Sequence, residues 1–122
     1  MANEISASAA LSANKGGAAV SNSTSRVATM TGDQLILNVQ YVSTIAEALN
    51  VGDVDNSEAG YVLIKNLDAT NYVELALDAP CTAQVFAKLQ PGDFALFPAK
   101  TVTMYAKAND VALNLMVQAI ER

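Results

Sequence analysis

Twelve carboxylates, seven cationic side chains, one thiol and no histidine are the material from which this 122-residue chain can build a site. Without histidine the commonest general base and metal ligand is missing, and Ser-His-Asp and Cys-His catalysis go with it. A single cysteine builds neither a zinc site nor a disulfide within the chain. Cys81 follows Pro80 in a turn, with no histidine to activate it and no Lys or Arg beside it in sequence. Its spacing predicts a small, half-buried residue, not a reactive thiol. Asp53, Asp55 and Ser57 alternate as the first ligands of a calcium loop do. However, Glu58 stands where such a loop needs glycine, and Ile64 stands where it needs a bidentate Glu, so a solvated turn is expected. Asp68, Glu74 and Asp93 raise glycosidase chemistry, which needs two carboxyls at a working separation. Nothing in their spacing supplies one, and no Trp offers a sugar platform. Gly16-Gly17 lacks the Lys-Ser/Thr ending and the preceding buried strand of a phosphate loop. The expectation is no catalytic residue, no metal site, no cofactor and no enzyme.

The elements that would position any site read as strands. Gln34 to Val42 alternates, with Leu35, Leu37, Val39 and Tyr41 on one face and Asn38 and Gln40 on the other, which predicts a half-buried strand. Thr44 with Glu47 three residues on fits a capping box, but the run is too short for a stable helix. An irregular or extended connection is the stronger expectation there. Ala59 to Leu77 organises the chain, reading as two strands joined by the polar turn Asn66–Asn71, a hairpin with Val73, Leu75 and Leu77 on one face. Val85, Ala87 and Leu89 share the face of a further strand, and Gln90-Pro91-Gly92-Asp93 is a strong turn. Phe94 to Phe97 is a short strand ended by Pro98. Val102, Met104 and Ala106 point inward, and Val111, Leu113, Leu115, Val117 and Ala119 form the longest alternating run. About six strands from Gln34 onward, at sandwich-like turn spacing and without long helical patterns, predict an all-β single antiparallel β-sandwich of jelly-roll type.

Residues 1–33 form a separate N-terminal arm, rich in Ala and Ser, ahead of a β-sandwich domain at 34–122. The arm's alternation at Ile5, Ala7, Ala9, Leu11 and Ala13 allows a thin strand ended by Lys15-Gly16-Gly17, and a mobile tail is the competing reading. It buries too little to order itself strongly and suits a partner surface, with Ile5, Leu11, Val20 and Arg26 as the candidate protein-interaction residues. Asn22-Ser23-Thr24 matches a glycosylation sequon, which means little without a secretion signal.

Composition narrows the partners. The 52% hydrophobic share includes 22 alanines, so the large apolar side chains are fewer than it suggests and concentrate between Leu35 and Ile120. A net charge of −5 argues against a nucleic-acid partner, which needs a basic face. No stretch is apolar enough to span a bilayer and no basic start leads an apolar run, so neither a membrane partner nor a secretory signal is expected.

Glu47-Ala48-Leu49 with Val51-Gly52-Asp53-Val54, the run Gly60 to Glu74, the run Phe86 to Pro98, and Tyr105-Ala106-Lys107-Ala108 together resemble small virion proteins of tailed bacteriophages. The resemblance covers roughly residues 34–122 and rests on turns and strand cores. Leu89-Gln90-Pro91-Gly92-Asp93 is also similar to the turn of cupin barrels, whose metal-binding histidines have no counterpart here. The phage resemblance implies a capsid decoration (cement) protein, made in the host cytoplasm and bound on the outer surface of the virion. Its implied partners are the major capsid protein or other virion subunits, and it implies a homo-oligomer, a trimer. A neck, tail or fibre component of the same particle is one alternative. A free-standing carbohydrate- or ligand-binding sandwich, using Tyr61, Tyr72 or Tyr105, is another.

Overall fold

The computed structural model describes residues 4–54 and 59–121. Ten strands carry the described chain: β1 (Ile5–Lys15), β2 (Ala18–Ala28), β3 (Leu35–Val42), β4 (Glu47–Ala48), β5 (Ala59–Asn66), β6 (Val73–Ala76), β7 (Val85–Leu89), β8 (Phe94–Pro98), β9 (Tyr105–Ala108) and β10 (Leu113–Glu121). Every pairing is antiparallel. Two four-stranded sheets, in the orders β3-β10-β5-β8 and β4-β9-β6-β7, are accompanied by the two-stranded ribbon β1-β2. Among the described residues the fold is therefore all-β.

Both four-stranded sheets contribute to one core. Val42, Val62, Ile64, Leu113, Leu115 and Val117 come from the first sheet, and Val73, Leu75, Leu89, Ala106 and Ala108 from the second. Strand β10 lies between β3 and β5, and alternates Leu113, Leu115, Val117 and Ala119, all buried, with Asn114, Met116, Gln118 and Ile120 on its outer side. This long run imposes its two-residue period on both neighbours, because residues opposite one another across a ladder share a face.

Three expectations need correction. Leu35, Leu37, Val39 and Tyr41 are not the core face of β3: they are 59–68% exposed. Register is the cause. Ile36, Asn38, Gln40 and Val42 lie opposite the buried Ala119, Val117, Leu115 and Leu113, so they must face inward. The amide nitrogens of Asn38 and Gln40 are served there by the segment after β3: Asn38 Nδ2 donates to Asn50 O at 3.3 Å, and Gln40 Nε2 donates to Ala48 O at 2.9 Å. Gln40 Oε1 in turn accepts from Asn50 N at 2.8 Å.

Second, Ala59–Leu77 is not a hairpin. Strand β5 pairs with β10 and β8, while β6 pairs with β7 and β9, so the Asn66–Asn71 turn is a corner carrying the chain from one sheet to the other. A register shift between Leu75 and Ala76 also buries Ala76 and turns Leu77 out to 48% exposure. Third, the last strand begins at Leu113, leaving Val111 exposed ahead of it.

Other expectations hold. Glu47 begins the short strand β4 and no helical turn forms; its Oε2 accepts from Ser43 N at 3.1 Å. The Gln90–Asp93 turn closes with Asp93 N donating to Gln90 O at 2.9 Å, and Gly92 adopts the left-handed φ of 84°. Cys81 is buried more fully than expected, and sits at a positive φ of 55°. Of the calcium-like loop, Asp55, Ser57 and Glu58 lie outside the described residues.

Candidate interaction surface

Of the acidic side chains that invited a chemical reading, Asp68 and Asp93 are occupied with backbone, whereas Glu74 lies between Lys88 and Lys107 on the second sheet. Asp68 Oδ2 accepts from Asn71 N at 2.7 Å and Thr70 N at 3.0 Å, closing the corner between the sheets. These bonds, that to Asn71 first, hold its carboxyl below the usual carboxylate range. Asp78 accepts from Thr82 N at 3.0 Å, Ala83 N at 3.2 Å and Gln84 N at 2.9 Å. Donation from Thr82 leads in lowering its carboxyl to about 2. Asp93 Oδ2 accepts from Gln90 N at 2.9 Å. Among the described residues, no three of the acidic and thiol groups come together in a way that could hold a metal ion. Burial, with Asp78 adding to it, raises the Cys81 thiol above its ordinary value, the direction of an inert thiol.

Asn66 binds these turns together. It is fully buried, and its Nδ2 donates to Asn71 O at 2.9 Å and to Leu89 O at 3.0 Å, while Oδ1 accepts from Asp68 N at 2.9 Å. Its backbone N donates to Asp93 O, and its O accepts from Gly92 N. The most polar stretch of the chain thus serves architecture.

The outer faces of the two four-stranded sheets differ. On the second sheet Glu74 sits between Lys88 and Lys107 on neighbouring strands, and Lys88 lies over the Tyr72 ring at 4.2 Å. That face is charged and suited to water. The first sheet's outer face carries Leu35, Leu37, Val39 and Tyr41 on β3, Met116 and Ile120 on β10, Tyr61 and Leu63 on β5, and Phe94 and Leu96 on β8, with Lys65 its sole charge among the paired outward positions. A soluble β-sheet exposed on one side ordinarily alternates apolar-in with polar-out. Here the outer side is largely apolar as well, with Asn114 and Gln118 its uncharged polar positions.

The β1-β2 ribbon stands over part of this face. Opposite residues in its register share a side, which places Ile5, Arg26, Leu11 and Val20 on the same side of the ribbon. Ile5 at the root is 2% exposed and lines a cavity with Tyr61, Leu63, Leu96 and Ile120. Farther along, Ala9 and Thr24 line an open cleft with Phe94. Leu11 and Val20 near the tip are 80% and 70% exposed. The four candidates therefore share one side but differ in place, Ile5 seating the ribbon on its own domain and Arg26 lining a cleft with Tyr61, Leu96 and Pro98, while Leu11 and Val20 face solvent. Gly16 and Gly17, both at positive φ, make the tight reversal that their sequence suggested as a strand end.

Sequence reasoning missed the β3 stripe as a surface because it assigned those residues to the core. The two strands carry apolar rows of similar length and purity, and the pairing of β3 with β10 is what sets which row lies inside. An additional apolar cleft of about 460 Å³ opens between the β7 and β8 edges, lined by Leu77, Phe86, Phe97 and Met104. The chain matches no family model, no curated protein and no solved structure.

Proposed function

We propose that this chain is a structural virion protein of a tailed bacteriophage, a capsid decoration protein that binds and stabilises the outer shell. The observation that carries the reading is the contrast between the two outer faces, one charged and one apolar beneath a long exposed ribbon. Such a molecule works by contact, with one side to water and one to a partner. The turn-bound acids support a non-enzymatic role, since Asp68 and Asp93 already hold loops and Glu74 lies opposite two lysines. The strand orders β3-β10-β5-β8 and β4-β9-β6-β7, around a common core, support reading the domain as a jelly-roll sandwich, a fold frequent in capsid proteins.

The test is occupancy. Shells assembled without this protein and mixed with the purified chain should retain it through sedimentation, and particle images should show it on the outer surface at a fixed number per capsomer. Removing residues 1–31 should abolish that retention; full-length occupancy by the truncated chain would dismiss the ribbon as the attachment element. Density at the neck, tail or fibre would move the reading there, and no retention at all would refute a virion role. The apolar cleft beside Phe86 and Phe97 favours a ligand-binding sandwich as the second reading, which saturable binding on a glycan array would support.

A further inference from the structure

The apolar outer face has two halves. The chain's own ribbon stands over the β5-β8 half, where Ile5 and Ala7 line a cavity with Tyr61, Leu63 and Leu96. The β3 half, Leu35, Leu37, Val39 and Tyr41, faces solvent. At about 3.3 Å per residue, each 11-residue strand of the ribbon reaches about 35 Å, and its far end extends past its seat with Leu11 and Val20 bare. A two-stranded ribbon standing alone in water is marginal at best. One chain thus carries an uncovered apolar sheet surface and an uncovered apolar ribbon end.

We propose that these two surfaces cover each other between copies: the far end of the β1-β2 ribbon of one chain lies on the β3 half of the outer face of another. Three observations select a second copy as the occupant. The ribbon root already packs on the adjoining half of the same face, so the contact continues one that exists within the chain. The surfaces are alike in charge, since the stripe has no charged side chain and the far half of the ribbon has one, Lys15 at the turn, in a protein with 19 of them. They match in shape, because the tip side of the ribbon carries Leu11 and Val20 among the smaller Ala13, Ala18 and Asn22, facing the flat row of a strand. The inference does not rest on the virion reading and concerns the purified chain alone. Reciprocal exchange between two copies, or head-to-tail closure of a ring, satisfies the same contact.

The experiment begins from Cys81→Ser, which removes the single native thiol, carried alone as the folding control. Two further chains add one cysteine each, Leu11→Cys in the ribbon and Val39→Cys on the stripe. Under mild oxidation the mixture should form a disulfide-linked heterodimer, identified by mass, well above the yield of homodimers from either chain alone. Light scattering and sedimentation of the unmodified protein should give a closed oligomer, and Leu11→Lys and Leu37→Lys should each weaken association about tenfold or more. Both substitutions fall on exposed positions, and an unchanged circular dichroism spectrum shows that each variant folds. A monomer at high micromolar concentration would overturn the proposal. So would an oligomer indifferent to both lysines, or a heterodimer yield no higher than that of the homodimers.

Discussion

At the scale of single residues, the polar groups that look most like chemistry act as fasteners. Asn66 satisfies two carbonyls and one N–H that would otherwise be buried or strained at the corner between the sheets. Asn66→Ala should lower stability by about 3 kcal/mol, since it strands several polar groups at once; chemical denaturation measures it. Asp78 makes a prediction about acid. Its folded pKa, about 2, lies below the ordinary value of 3.8, so its stabilisation is fully present above the ordinary value and fades as pH falls toward 2. The melting temperature should therefore drop between about pH 4 and pH 2. Asp78→Asn, which does not titrate there, should show a shallower drop in the same scan. Asp68 is shifted in the same direction and adds to the wild-type slope.

At the scale of elements, β3 and β10 show how a ladder overrides a strand's own pattern. Their apolar rows are of similar length, yet one is buried and the other is not. Leu115→Ala should cost about 2–5 kcal/mol, because Leu115 is fully buried in the shared core. Leu37→Ala, an equal change in side chain, should stay within about 0.5 kcal/mol in the monomer. Had the stripe been core, the two would cost alike, and equilibrium unfolding at low protein concentration separates the cases. The same principle explains the misread hairpin. A polar turn between two apolar runs is common to hairpins and to corners between sheets, and local residues do not distinguish them. Asn66 decides it, since its donation to Leu89 O ties the turn to β7, across the fold from β5.

At the scale of the whole molecule, core and ribbon share few buried residues. Of the ribbon's strand residues, Ile5 and Ala28 are buried, and the common core of the two four-stranded sheets contains no residue before Ile36. Deleting residues 1–31 should leave a cooperatively folding domain with strand-rich circular dichroism. Its melting temperature should fall modestly, through the exposure of Tyr61, Leu63, Leu96 and Ile120 beneath the ribbon root. Loss of cooperative unfolding on deletion would mean that the ribbon belongs to the core.

The chain's composition and alternation were enough to declare strands, turns and an all-β class, because two-residue periodicity and turn chemistry are local properties. The lack of histidine was equally plain. Local pattern could not reveal which side of β3 meets the core, since an apolar row reads the same whether it faces a second sheet or a partner. That choice came from pairing with β10, a contact across more than seventy residues. Nor could it reveal that Asn66–Asn71 joins two sheets, or that the Ala/Ser-rich segment folds back at Gly16-Gly17 and seats Ile5 on a face whose other half stays bare. Surfaces are assembled from strands distant in sequence, so an interaction face comes into view only once register and sheet order place its residues side by side.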